Sequence, residues 1–168
     1  MLPESLARCR ALFDDLTPLR MDCGQTCQGA CCRPMEGENT GMLLFPGEEA
    51  YYAALPGYEV RKTDHGLLLT CTGHCERADR PLSCRLFPLL PLVREDGIKV
   101  ATDLRAKAVC PLAQQGKSAL LPEFVSAVRQ AGQILVEDED QRAFLQRLTA
   151  MQDELKALRA QFGRNRHV

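Results

Sequence analysis

The sequence predicts an α+β fold in which a small cysteine-rich, metal-stapled hairpin core lies between an N-terminal helix and a C-terminal helical pair. Three observations predict it. Apolar residues at helical spacing occupy the two ends of the chain, two hairpin signatures occupy the middle, and eight of the nine cysteines fall in that middle. At 168 residues the chain has the size of one domain, residues 1–168. Within it the expected parts are an N-terminal helix in 1–20, a cysteine-cluster core in 21–112 and the helical pair in 118–163.

Leu2, Leu6, Cys9, Leu12, Phe13 and Leu16 predict an amphipathic helix over 3–16. Cys9 lies on its apolar stripe and reads as a small buried hydrophobe. Pro18 ends the helix. A short strand is expected over Met42 to Phe45, then a Pro-Gly turn into a short helix with Glu48 and Glu49 in its first turn, where the helix dipole favours acids. YEVRKTDHGLLLT predicts a hairpin around Asp64–Gly66, and LPLVREDGIKVATD a second with Asp96-Gly97 as its turn.

Phe124, Val125, Val128, Ala131 and Leu135 mark a helix opened by Pro122. The acidic run 137–140 is a helix junction in which Asp138 or Asp140 can cap. Phe144, Leu148, Met151, Leu155, Leu158 and Phe162 then alternate by four and three residues. That spacing suits a long helix closing over the domain, and it also suits a coiled-coil seam through which a protein partner docks.

Composition excludes several classes of function. With 45% apolar residues, 26% charged residues and a net charge of −1, the chain is an ordinary globular protein without a field that recruits nucleic acid or anionic membrane. It has no Trp, which argues against a stacking platform for single strands. The charged N-terminus lacks the features of a signal peptide, and no window approaches the roughly 18 apolar residues of a membrane span. A cytoplasmic protein is expected. Cytosolic thiols stay reduced, and the cysteine count is odd, so a disulfide scaffold is disfavoured.

With Cys9 assigned to the core, the remaining cysteines are Cys23, Cys27, Cys31, Cys32, Cys71, Cys75, Cys84 and Cys110. They sit among Gly, Thr, Gln, Pro and Arg, not on apolar stripes. Soft thiolates in sets of four select Zn²⁺ or iron–sulfur clusters, and eight make two such sets. Zinc knuckles favour Cys-x2-Cys, whereas the short spacings here are Cys-x3-Cys. Cys110-Pro111 resembles the Cys-Pro that ends one ferredoxin run. The spacings lean toward iron–sulfur and leave zinc open. Adjacent side chains in an extended segment point to opposite sides, so Cys31 and Cys32 are expected to serve different centres. His74, inside CTGHC, is a further candidate ligand.

Thiolate centres leave net negative charge that cations and N–H groups must compensate. Arg33, Arg77, Arg80, Arg85, Arg105 and Lys107 all lie near a cysteine in sequence. Arg80 and Arg85 are the expected cofactor-binding cations, Arg85 above all because it follows Cys84 directly.

CGQTCQGACC, CTGHC, RPLSCRLFPLLP and the final CPL together resemble the YkgJ-like family of zinc- or iron-chelating cysteine-cluster proteins. That family's hallmark falls on Cys23, Cys27, Cys31, Cys32, Cys75, Arg80, Pro81, Cys84, Arg85 and Pro88. The resemblance spans about residues 22–112 and implies metal chelation. Flagellin lysine methylases carry a similar cluster on longer chains, so their activity is not carried over.

No paired-carboxylate, phosphate-loop, Ser-His-Asp or HExxH pattern appears. His65 reads as a turn residue at a hairpin tip. The expected function is a cytoplasmic protein holding one or two thiolate-ligated centres, iron–sulfur or zinc, for electron transfer or as an enzyme accessory. The alternative is a structural-zinc interaction module without redox or catalytic work.

Overall fold

The N-terminal apolar stripe forms helix α1, Glu4–Ala11, with Leu6, Cys9 and Phe13 buried. The computed structural model describes residues 2–21, 31, 41–71 and 76–164. Helix α1 stops short of the predicted residue 16. The Leu12 and Phe13 N–H groups donate to the carbonyls three residues back, at 3.2 and 3.0 Å, and the chain tightens into turns that still carry Phe13 into the core.

Strands β1 (Met42–Leu43), β2 (Tyr58–Thr63) and β3 (Gly66–Cys71) form an antiparallel sheet in the order β1-β3-β2. Leu43 lies opposite Leu68, and Tyr58 opposite Cys71. Between β1 and β2 runs the short helix α2, Glu49–Tyr52. Strands β4 (Leu89–Arg94) and β5 (Gly97–Thr102) make the second hairpin. It turns through Glu95-Asp96, one residue before the predicted pair, and Gly97 opens β5 at φ +108°, a conformation glycine adopts without steric cost. The first hairpin forms at its predicted turn and the second one residue before its own.

The fold is α+β. Helix α3 spans Leu82–Leu86, α4 Pro111–Gln115, α5 Pro122–Leu135 and α6 Glu139–Arg164. Pro122 stands in the first turn of α5, and Asp138 caps α6 by accepting from the N–H groups of Asp140 and Gln141 at 3.1 and 3.3 Å. Strand β4 packs against both α5 and α6, which buries consecutive residues Leu89 to Leu92 and accounts for an apolar run without alternation.

The main core lies among α1, α5, α6 and the β4–β5 hairpin. Phe13 meets Phe124 edge-on at 5.8 Å, and Phe45 meets Phe144 at 5.0 Å. Buried polar side chains of α6 stitch it to the hairpins. Thr149 accepts from the Val93 N–H at 3.0 Å. Gln152 accepts from the Leu104 N–H at 3.1 Å and donates to the Thr102 carbonyl at 2.7 Å. The apolar stripe of α6 is divided along its length. Phe144, Leu145 and Leu148 close over the core, while Leu158 and Phe162 stand 49% and 65% exposed. Among the described residues no helix is long and apolar enough to cross a membrane.

Gly132 sets the approach of α5 to the hairpin. A Cβ there would come within 2.7 Å of both the Ile98 side chain and Pro91 Cβ. Ile98 can rotate away, but Pro91 is fixed in the strand. Gly132→Val is therefore expected to lose about 1–3 kcal/mol to overpacking, read as a lower midpoint in chemical denaturation.

Candidate functional site

Cys84 and Arg85 sit on α3, which is held at several points. The Glu48 carboxylate, fully buried, accepts from the Leu82 N–H at 2.9 Å and from the Phe45 N–H at 3.1 Å. The Ser83 hydroxyl donates to the Leu43 carbonyl, tying α3 to β1. Glu48, expected in the first turn of α2, stands at its N-cap and turns inward, cross-linking two segments 34 residues apart. Arg10 of α1 stands 3.6 Å from the same carboxylate, donates to the Tyr52 hydroxyl at 3.3 Å and to the Ala78 carbonyl at 2.7 Å. Tyr52 in turn donates to the Asp79 carbonyl at 2.8 Å.

Arg85 is the hub of this region. Its guanidinium donates to the carbonyls of Arg80, Arg10, Arg77 and Ala78 at 3.0–3.2 Å and pairs with Asp14 at 2.9 Å. Its side chain is 6% exposed. The donors expected to face a cofactor are thus aimed at the loop between the second cysteine run and α3, and at α1. Arg80 is half-buried, and its carbonyl is one of those acceptors.

Arg77 ties the segment that follows the second cysteine run to the turns after α1. Its Nε donates to the Asp14 carbonyl at 2.6 Å, and its Nη2 donates to the carbonyls of Phe13 and Leu16 at 2.9 and 3.0 Å. These carbonyls follow the end of α1, where a cation is favoured. Just beyond, the Thr17 hydroxyl reaches the Met21 carbonyl at 3.3 Å. Met21 precedes Cys23 by two residues and Arg77 follows Cys75 by two.

Cys71 ends β3 half-buried opposite Tyr58, whose ring lies 5.3 Å from that of Tyr52. Burial raises the Tyr52 hydroxyl pKa, the Glu48 charge raises it further and Arg10 opposes, with the nearby Cys84 thiol adding to the rise. Cys71 thus lies across the strand pair from Tyr58, and Cys84 is within electrostatic reach of Tyr52. Cys31 is exposed and lines a cavity of about 400 Å³ together with His65, Asp103, Arg105 and Val109. Cys110, next to Val109, is 7% exposed and belongs to the main core, a more apolar setting than its neighbours in sequence suggest. In that cavity wall Arg105 is committed to buried Asp103 at 2.6 Å.

Cys23, Cys27, Cys32, Cys75, His74 and Arg33 lie outside the described residues, and so does the expected division of Cys31 and Cys32 between two centres. Among the described residues no group of three or more His, Cys, Asp or Glu is arranged to hold a metal ion. The Glu48–Arg10–Tyr52 network was not legible in the sequence, because Arg10 is about 40 residues from the other two and nothing local marks them as partners.

Cys9 is fully buried, and its thiol donates to the Ala131 carbonyl at 3.4 Å. Burial pushes its pKa up to about 12, with Glu137 adding to the rise and Arg8 opposing it. Because the thiolate is the reactive form, Cys9 is expected to resist iodoacetamide in the native protein and to react only after denaturation, as peptide mass spectrometry would report.

Comparison with family models, with curated proteins and with solved structures found no match.

Proposed function

We propose that this protein holds one or two thiolate-ligated metal centres, with ligands drawn from Cys23, Cys27, Cys31, Cys32, Cys71, Cys75, Cys84 and Cys110. The observation that supports this reading is the Arg77 clamp, which ties the segment after the second cysteine run to the turns that follow α1, from which the chain leads toward the first. A shared thiolate site would draw ligands from both runs. The donor chemistry fits: Cys71 lies opposite Tyr58, Cys84 is within electrostatic reach of Tyr52, and Arg10 supplies positive charge at the Tyr52 hydroxyl. The resemblance to YkgJ-like chelating proteins supports the same reading.

Cys-x3-Cys spacing leans toward iron–sulfur and a role in electron transfer or as an enzyme accessory, in the cytoplasm where thiols stay reduced. Structural zinc on an interaction module is the alternative, favoured by the exposed Leu158 and Phe162 of α6. Arg85 acts here by holding the loop that follows the second run. Anaerobic purification with a visible spectrum and iron, sulfide and zinc analysis separates the readings. Brown protein with stoichiometric iron and sulfide supports a cluster, and colourless zinc protein supports the module. Folded protein without metal overturns both. Cys31→Ser and Cys32→Ser variants are expected to empty different centres; loss of one and the same centre refutes the division between them.

A further inference from the structure

We propose that Tyr51 is a redox-active tyrosine, which gives one electron to an oxidant at the protein surface while its phenol proton passes to Asp79. The chain has three tyrosines and no Trp, and all three rings form one stack. Tyr51 meets Tyr52 edge-on at 5.1 Å, and Tyr52 meets Tyr58 at 5.3 Å. An electron can be withdrawn from any ring of such a stack. A phenol that has lost an electron is a strong acid, so the vacancy settles where a base stands ready for the proton.

Tyr51 has that base. It is 38% exposed on α2, and its hydroxyl donates to Asp79 Oδ1 at 2.6 Å, the short distance of an O–H donor on a carboxylate. Tyr52 has none. It is fully buried, its hydroxyl donates to the main-chain carbonyl of Asp79 at 2.8 Å, and it accepts from Arg10 at 3.3 Å. A carbonyl does not take the proton, and a positive ring beside Arg10 in a buried place is costly. The Arg10 guanidinium also lies 5.6 Å from the centre of the Tyr51 ring. It opposes positive charge there as well, so at Tyr51 the electron and the proton must leave together.

The acceptor is held in advance. Arg85 donates to the carbonyls of Arg77 and Ala78 at 3.1 Å each, and Arg77 is tied to the turns after α1, so the loop that carries Asp79 need not move during the transfer. In the resting protein the bond to Asp79 raises the Tyr51 pKa, which keeps the proton on the phenol until the electron leaves. In the reaction the Tyr51 O–H bond breaks, the proton binds Asp79 Oδ1 and the electron goes to the oxidant. A peroxyl radical, the class of oxidant proposed, becomes a hydroperoxide anion and takes a proton from water. What remains is a neutral tyrosyl radical beside a neutral carboxylic acid. Neither Tyr51 nor Asp79 is a proposed metal ligand, so this chemistry stands whether or not a metal is bound.

Flash photolysis of the full chain with a ruthenium tris-bipyridine sensitiser, a one-electron oxidant once excited and quenched, tests this. Freeze-quenched electron paramagnetic resonance identifies the radical. Wild type is expected to give a tyrosyl radical that forms more slowly in deuterium oxide than in water. Tyr51→Phe keeps the ring and its stacking but should lose that signal, whereas Tyr58→Phe should keep it. Asp79→Asn leaves an acceptor oxygen in place without a base, and should slow radical formation by about 100-fold. No tyrosyl radical in wild type overturns the proposal, as does one that forms at the wild-type rate in Tyr51→Phe. A rate unchanged in Asp79→Asn, or unchanged in deuterium oxide, also overturns it. A hydrogen bond that only ties α2 to the loop would leave electron loss uncoupled from the proton.

Discussion

Arg85→Ala is expected to lower folding stability by about 3–5 kcal/mol, the cost of emptying a buried, charged hydrogen-bond hub. The guanidinium satisfies four carbonyls and one carboxylate from α1, the 77–80 loop and the turn after α1. Alanine leaves the part-buried carbonyls of Arg80, Arg10 and Arg77 without that donor and removes the contact with Asp14. Arg10 still reaches the Ala78 carbonyl, so the loop loses its main tether but not its last one. Arg85→Lys should recover little, because a single ammonium cannot span acceptors arrayed around a planar fork. Guanidinium denaturation of the three proteins measures this; a lysine variant as stable as wild type would show that charge, not geometry, holds the loop. On the proposed function Arg85→Ala also lowers metal content per chain, because the loop it holds carries the return from the second cysteine run.

Glu48→Ala should be of similar size, about 3–5 kcal/mol, for a different reason. The substitution leaves the N–H groups of Phe45 and Leu82 without an acceptor in a fully buried place and strands the nearly buried Arg10 cation. Glu48→Gln keeps the volume and one acceptor, and so costs less.

The acid also gives a pH signature. Burial holds the Glu48 pKa above its ordinary 4.5, against the lowering effect of its two N–H donors and of Arg10 and Arg85. A raised carboxyl contributes stability that is fully present below the unfolded value and is lost as pH rises through the folded one. Wild-type stability should therefore fall relative to Glu48→Gln as pH increases from about 4.5, and level off above the folded pKa. Parallel melting temperatures of the two proteins across that window would refute the shift.

Much of the scaffold could be read from the sequence because its causes are local. Turn residues and a glycine with positive φ define each hairpin within a dozen residues, Pro122 opens α5, and Asp138 caps α6. The apolar stripe of α6 was legible as well, but its division into a buried and an exposed half was not, since that depends on where β4 ends beneath the helix. Cys9 read correctly as a core residue from its helical phase alone.

The site divides in the same way. The sequence by itself determined which side chains offer thiolate chemistry, because residue type and spacing are chain-local quantities. Only the tertiary structure decided what the arginines do. Arg77 and Arg85 read as charges beside cysteines, yet Arg77 is used on carbonyls 61 to 64 residues back, and Arg85 joins one 75 residues back to three in its own preceding loop. A guanidinium takes whatever acceptors the packing of α1 against α3 brings within about 3 Å, and a buried carboxylate such as Glu48 is tolerated only where unpaired N–H groups and a cation converge on it. Those coincidences belong to the packed chain and leave no periodic trace in its sequence.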